Sequence, residues 1–125
     1  MRIHHLGIAC KDIRKQLVEF KKFHKVIWES EIVEDLRQNA QLCMVKTDFG
    51  LDFEFVSGTV VSGIVKKGIS YYHTCYEVEN LDGVLADFVS RGAILVSKPK
   101  QAVLFNNRRV AFLYMPYGLI ELLEE

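Results

Sequence analysis

One short phrase occurs twice in this chain, and it limits the possible folds more than any other feature. Phe49-Gly50-Leu51-Asp52-Phe53-Glu54-Phe55 lies near the middle, and Tyr117-Gly118-Leu119-Ile120-Glu121-Leu122 lies at the end. Each is an aromatic residue, a Gly, a Leu, and then an apolar strand with one Glu inside it. Upstream of each stands a His near the head of another apolar strand. These are His5 in Ile3-His4-His5-Leu6-Gly7-Ile8-Ala9 and His73 in Tyr72-His73-Thr74-Cys75-Tyr76-Glu77-Val78. His5 precedes Glu54 by 49 positions and His73 precedes Glu121 by 48. Two copies predict a duplicated unit and not a solenoid, which needs three or more repeats to bury its faces.

The chain in order supports that division into a module over 1–57, a connector over 58–69 and a module over 70–125. Residues 3–10 alternate as a strand, with His5, Gly7 and Ala9 on one face and His4, Leu6 and Ile8 on the other. Leu6 and Ile8 are expected to pack under a helix, which leaves His5 on the more open face. Asp12 is a candidate N-cap for a helix to about Phe23, with Ile13, Leu17 and Phe20 as its apolar stripe. Strands are predicted over Val26–Val33, Gln41–Thr47 and Leu51–Val56, with turns at Leu36–Asn39 and Asp48–Gly50. Asp52 and Glu54 share a face of the last strand, opposite Leu51, Phe53 and Phe55. The connector carries a short helix around Val60–Lys67.

The second module repeats this order. Ser70–Val78 is a strand with His73, Cys75 and Glu77 on one face. Asn80 caps a helix whose Leu81, Val84, Leu85, Phe88 and Val89 follow helical spacing, and Gly92 stops it. Strands follow over Ala93–Ser97, with a short continuation at Val103–Phe105, then Val110–Tyr114 and Leu119–Leu123. Asn106-Asn107-Arg108 is a turn. The result is an α+β chain of two paired βαβββ modules. Each sheet has one face under a helix, and the other faces curve together into a cup.

Composition narrows the partners. Lys plus Arg and Asp plus Glu both number 16, so no net charge draws the chain to nucleic acid or to an anionic membrane. The apolar runs are too short to span a bilayer, and the N-terminus enters a strand without a secretion signal. Cys10, Cys43 and Cys75 are an odd number without metal-type spacing, which suits small buried hydrophobes in a reducing, cytoplasmic setting. No glycine-rich phosphate loop, Ser-His-Asp pattern or cysteine-nucleophile context is present.

Singly, His5 or His73 suits a structural role, and Glu54 suits the exposed face of an edge strand. Taken together they carry more. Both His residues begin their unit and both Glu residues lie in its last strand, so pseudo-twofold pairing brings all four together. Two imidazoles and two carboxylates suit a divalent ion such as Co, Ni, Zn, Mn or Mg, with positions left for water or substrate. His4 points away from His5 on strict alternation, and His24 sits at a helix end where a cation is favourable. Lys98, Lys100, Arg108 and Arg109 gather near one turn. They are either solvated charge or a site for an anionic substrate tail.

The segments His5-Leu6-Gly7-Ile8-Ala9, His73-Thr74-Cys75-Tyr76-Glu77-Val78, Arg109-Val110-Ala111-Phe112-Leu113 and Gly118-Leu119-Ile120-Glu121-Leu122 resemble the vicinal oxygen chelate superfamily. Within it they are most similar to the methylmalonyl-CoA epimerases. The resemblance implies a metal-holding cup of paired βαβββ modules, with His5, Glu54, His73 and Glu121 as ligands. It implies proton transfer next to a carbonyl of a small substrate through a metal-stabilised enolate, with Glu121 as base. It also implies a homodimer.

Three departures qualify it. Glu54 stands where epimerases typically have Gln and glyoxalase I enzymes commonly have Glu. Arg37 stands where epimerases have a second catalytic carboxylate, so Arg37 is expected to bind substrate, with Arg108 and Arg109, and Glu34 or Asp35 is left as a substitute base. The stretch between Phe112 and Gly118 lacks a Lys-containing insertion found in many epimerases. The alternatives are a glyoxalase I-like lactoylglutathione lyase, and a non-catalytic antibiotic-binding protein of the same fold. Four intact ligands argue against the binding protein. The first helix lacks the landmarks common after it in glyoxalases.

Overall fold

The computed structural model describes every residue, Met1–Glu125. Its strands are β1 (Arg2–Ala9), β2 (Val26–Glu29), β3 (Val33–Asp35), β4 (Ala40–Thr47), β5 (Asp52–Ser57), β6 (Tyr71–Val78), β7 (Ile94–Leu95), β8 (Lys100–Ala102), β9 (Arg108–Met115) and β10 (Gly118–Glu124). The helices are α1 (Ile13–Lys21), α2 (Ser62–Lys66) and α3 (Leu81–Ser90). None is long and apolar enough to cross a membrane.

All ten strands join one sheet, ordered β2-β4-β5-β1-β6-β10-β9-β7, with β3 also on β4 and β8 also on β9. The order is the same from both ends under exchange of the halves: β1 answers to β6, β5 to β10, β4 to β9 and β2 to β7. β1 and β6 run antiparallel at the centre, and each takes the last strand of its own half in parallel on its other side.

Each half has a helix on one face of its strands. Asp12 accepts the Lys15 N–H and opens α1, whose buried Ile13 and Leu17 pack on Cys43, Val45, Phe53 and Phe55. Asn80 accepts the Gly83 N–H and opens α3, whose buried Leu81 and Leu85 pack on Ala111, Leu113, Ile120 and Leu122. Gly92 ends that helix with φ at 107°, a left-handed conformation that a side chain would strain. The apolar periodicities thus place both helices as expected.

Several expectations change. The strand predicted over Val26–Val33 is two pieces, β2 and β3. Between them Ser30 accepts the Met44 N–H on its Oγ and donates its own N–H to the Met44 carbonyl, so the edge crosses β4 with a break. The strand predicted over Ala93–Ser97 shrinks to Ile94–Leu95 before the Lys98-Pro99 break, and pairing resumes in β8. Val103–Phe105 is a 3₁₀ turn and not a strand. It leads into Asn106 and Asn107 at φ 55° and 60°, a conformation that Asn tolerates better than most residues. The connector helix is a 3₁₀ turn over Thr59–Val61 followed by α2.

The face carrying His5 also differs from its expectation. His5, Gly7 and Ala9 are buried, whereas Leu6 and Ile8 are only half-buried against the α1 side. The concave face closes over His5 with Phe105, Cys75, Leu123 and Met44, so it is a second packed interior and not an open one.

Candidate metal centre

Sheet register brings the four residues together. Across the parallel β1–β5 pair Gly7 stands beside Glu54, and across β1–β6 the same Gly7 stands beside His73. One row of the sheet is therefore Glu54, Gly7, His73. The neighbouring row is His5, Cys75, Glu121, through β1–β6 and β6–β10. Both rows point into the concave face, because their members alternate with residues that pack under the helices.

The four side chains meet there. His5 Nε2 lies 3.1 Å from His73 Nε2. Glu121 Oε1 is 3.3 Å from His5 Nε2 and 3.2 Å from His73 Nε2. Glu54 Oε1 is 3.5 Å and 3.6 Å from the same atoms. His5, Glu54, His73 and Glu121 are 0, 3, 5 and 1 % exposed. A regular four-cornered cage with edges of this length has corners about 2 Å from its centre, the length of a first-row metal bond to nitrogen or oxygen. Glu121 Oε1 is buried with no hydrogen-bond partner. A buried carboxylate oxygen left this way is costly unless a cation faces it. Donor chemistry, spacing and the orphaned oxygen all fit a divalent ion.

Electrostatics agree with a tightly coupled cluster. Burial disfavours the His5 imidazolium, but Glu54 and Glu121 outweigh it and hold His5 at about 10. Burial also opposes the Glu121 carboxylate, and His73 and His5 outweigh that and keep its carboxyl well below the usual range. Without a metal, the centre thus balances its carboxylates with a proton on imidazole. Metal binding must displace that proton.

Two residues support the rings in ways the sequence pattern did not reveal. Gly7 lets the His73 ring lie across β1: a Cβ there would sit impossibly close to three atoms of that ring. His4 does not point away from His5. The β1–β6 register shifts between Ile3 and His5, and His4 Nδ1 comes to 2.9 Å from His5 Nδ1. The repeat carried no signal for Gly7, since the second half has Cys75 at that place. His4, His5 and Cys75 also have potential ligand atoms within 4.8 Å of one another. The Cys75 thiol is pushed up by burial and by Glu121, which disfavours the thiolate a metal would require.

A cavity of about 300 Å³ lies one layer of side chains away from the centre, and none of the four residues lines it. Its wall includes Tyr72 and Phe112, whose rings both pack on His73. Arg37 and Lys100 are its only charged lining residues. Arg37 donates to Asn107 Oδ1 and Lys100 donates to the Arg37 carbonyl, so neither cation has a carboxylate partner. A second cavity, of about 340 Å³, is lined by His73 near the ends of β6 and β10. Phe112, in the wall of the first cavity, stands beside Glu121 across β9–β10.

The expected partners of Arg37 lie elsewhere. Arg108 is bound to Glu77, and Arg109 to Asp82 and Glu124, and neither lines the cavity. Their guanidinium groups are paired with carboxylates in this structure. Asp35 is buried and accepts from Arg37 N, Gln38 Nε2 and Val103 N, so it ties turns of the two halves together and is not free to act as a base. Glu34 is exposed and outside the cavity lining.

Residues 4–112 match the Glyoxalase/Bleomycin resistance protein/Dioxygenase superfamily. The chain belongs to this superfamily. Its fold is the glyoxalase-like one, and the match stops short of Glu121. Comparison with curated proteins found no match. Among solved structures, methylmalonyl-CoA epimerase from Mycobacterium tuberculosis is 18% identical with a TM-score of 0.77, covering 98% of this chain and 87% of its own. A variant of Streptomyces coelicolor methylmalonyl-CoA epimerase in complex with 2-nitronate-propionyl-CoA is 20% identical with a TM-score of 0.75, covering 100% and 94%. A hypothetical protein from Bacillus halodurans is 20% identical with a TM-score of 0.76, covering 99% and 94%. At these identities the likeness is one of fold.

Proposed function

We propose that this protein is a divalent-metal-dependent isomerase that removes and returns a proton beside a carbonyl group, in the manner of an epimerase. The observation that most supports this is the convergence of two imidazoles and two carboxylates on one buried point. An ion held by His5, Glu54, His73 and Glu121 would supply the positive charge that stabilises an enolate. Glu121 is the base. It is buried, its carboxyl is held below the usual range by His73 and His5, and it stands beside Phe112, a residue of the cavity wall. Tyr72 and Phe112 pack on His73 and cover part of the centre.

Arg37 and Lys100 suit an anionic group on the substrate, such as that of an acyl-CoA thioester. No carboxylate lines the cavity, so a base outside the centre has no candidate there. Glu54 favours a second reading, isomerisation of a glutathione hemithioacetal, because it puts a carboxylate on each side of the imidazole pair. A homodimer belongs to the same reading and is checked by light scattering.

The test is deuterium exchange from solvent into methylmalonyl-CoA and other acyl-CoA thioesters by metal-loaded protein. Exchange that disappears in Glu121→Gln is the expected result. Absence of exchange with every thioester, together with turnover of the methylglyoxal–glutathione adduct, moves the assignment to the second reading. Metal content that is unchanged by both His5→Ala and Glu121→Ala removes the centre altogether.

A further inference from the structure

His5 is held at both ring nitrogens, and the second contact is made by its own neighbour in sequence. Its Nε2 points into the four-residue centre. Its Nδ1 lies 2.9 Å from His4 Nδ1. Adjacent residues of a regular strand face opposite ways, so this contact depends on the register shift between Ile3 and His5. Phe105 packs on both rings. It stacks on His5 at 5.4 Å and 25° and meets His4 edge-on at 5.4 Å and 85°. The two imidazoles are themselves edge to face, at 5.2 Å and 80°.

We propose that His4 is a positioning residue that accepts the Nδ1–H of His5 and thereby fixes the ring form whose Nε2 lone pair is free for a divalent ion. A neutral imidazole carries one N–H. Without an acceptor beside Nδ1, an ion on Nε2 leaves a buried Nδ1–H unpaired, which weakens metal binding in favour of the ring form that keeps its proton on Nε2, where Glu54 and Glu121 accept it. His4 removes that alternative. His73 has no such support, since its Nδ1 is buried without any partner, so the polar contact strengthens one of the two imidazole ligands and is not a property of the fold. The inference rests on the metal-centre reading given above.

The test has two arms with metal-loaded protein. In the first, Zn(II) affinity is measured by competition with a chelator for wild type, His4→Phe and His4→Asn. Phe keeps a flat ring against Phe105 and loses the acceptor; Asn places Oδ1 where Nδ1 stood and loses the ring. His4→Phe is expected to weaken binding about 10–100-fold, the usual effect of losing an outer-shell partner, and His4→Asn to stay within about threefold of wild type. Wild-type affinity in His4→Phe, or equal losses in both variants, overturns the proposal and assigns His4 to packing. No Zn(II) uptake by wild type overturns the metal-centre reading and this inference with it.

The second arm needs no variant. In ¹⁵N-histidine-labelled, zinc-loaded wild type, a coupling across the hydrogen bond should link His5 Nδ1 to His4 Nδ1, with the proton on His5. A proton on His4 instead, or metal on His5 Nδ1, refutes the assignment.

Discussion

His5 and His73 hold matching places in the two halves of the sheet, yet they are held by different means. His5 stands opposite Cys75 across β1–β6, is stacked by Phe105, and has its outer nitrogen against His4. His73 stands opposite Gly7, packs between Tyr72 and Phe112, and leaves its outer nitrogen unpartnered. Matching places in the sheet thus set where the two imidazoles go, while the surroundings of each ring differ. The His5 side is ordered by a polar contact. The His73 side is ordered by apolar contacts alone, from Tyr72 and Phe112, which also line the cavity.

The largest effects should come from breaking the centre itself. His5→Ala and His73→Ala are each expected to abolish stoichiometric metal binding, measured by elemental analysis after dialysis. A loss confined to His5→Ala would mean that the His73 half is not a true counterpart. Core truncations test the helix-covered faces next. Phe55→Ala in the first half should cost about 3–5 kcal/mol, and Leu81→Ala in the second about 2–5, by urea denaturation. Both residues are fully buried, so a large disparity would show that one half carries the fold.

Gly7→Ala sharpens the contrast between the rings. Its new Cβ displaces His73 and not His5, so it should lower Zn(II) affinity about 10–100-fold, as for loss of ring support, and destabilise by about 1–3 kcal/mol. The imidazole resonances of His73 should shift more than those of His5.

Glu77 gives a pH test. It occupies the place that Ala9 fills in the first half, and its carboxylate is shared by Arg108 and Arg2. These arginines hold its carboxyl below its ordinary value of 4.5. A depressed carboxyl stabilises the fold above the unfolded value and ceases to do so as pH falls through the folded value. Wild type should therefore lose its stability advantage over Glu77→Gln as pH is lowered from 5 towards 3, followed by urea midpoints. The smallest effect is expected at Arg91, paired with Asp87 on the exposed face of α3: Arg91→Ala should change stability by less than about 1 kcal/mol.

Much of this was legible in the order of residues because it rests on short-range periodicity. Alternation in β1 and β6 identified the face of His5 and His73, helical spacing identified α1 and α3, and the twice-used phrase tied Glu54 and Glu121 to the same place. Less was legible wherever a residue answers to a distant partner. Arg108 and Arg109 read as solvated charge or as a site for an anionic tail, and nothing local revealed their pairing with Glu77, Asp82 and Glu124. Asp35 looked available as a base, but it bonds a turn 68 positions away at Val103. Val103–Phe105 has the composition of a strand, yet the left-handed Asn106 and Asn107 turn it aside.

Read alone, then, the chain specifies a duplicated α+β unit and the four polar residues that its symmetry must gather, because local spacing dictates which face each side chain takes. The depth at which those four are buried, and the supports that aim their rings, are set by contacts across strands. A register shift turns His4 onto His5, and a missing Cβ at Gly7 admits His73. Both depend on how β1 lies against β6, a relation between segments some 70 positions apart that no local pattern encodes.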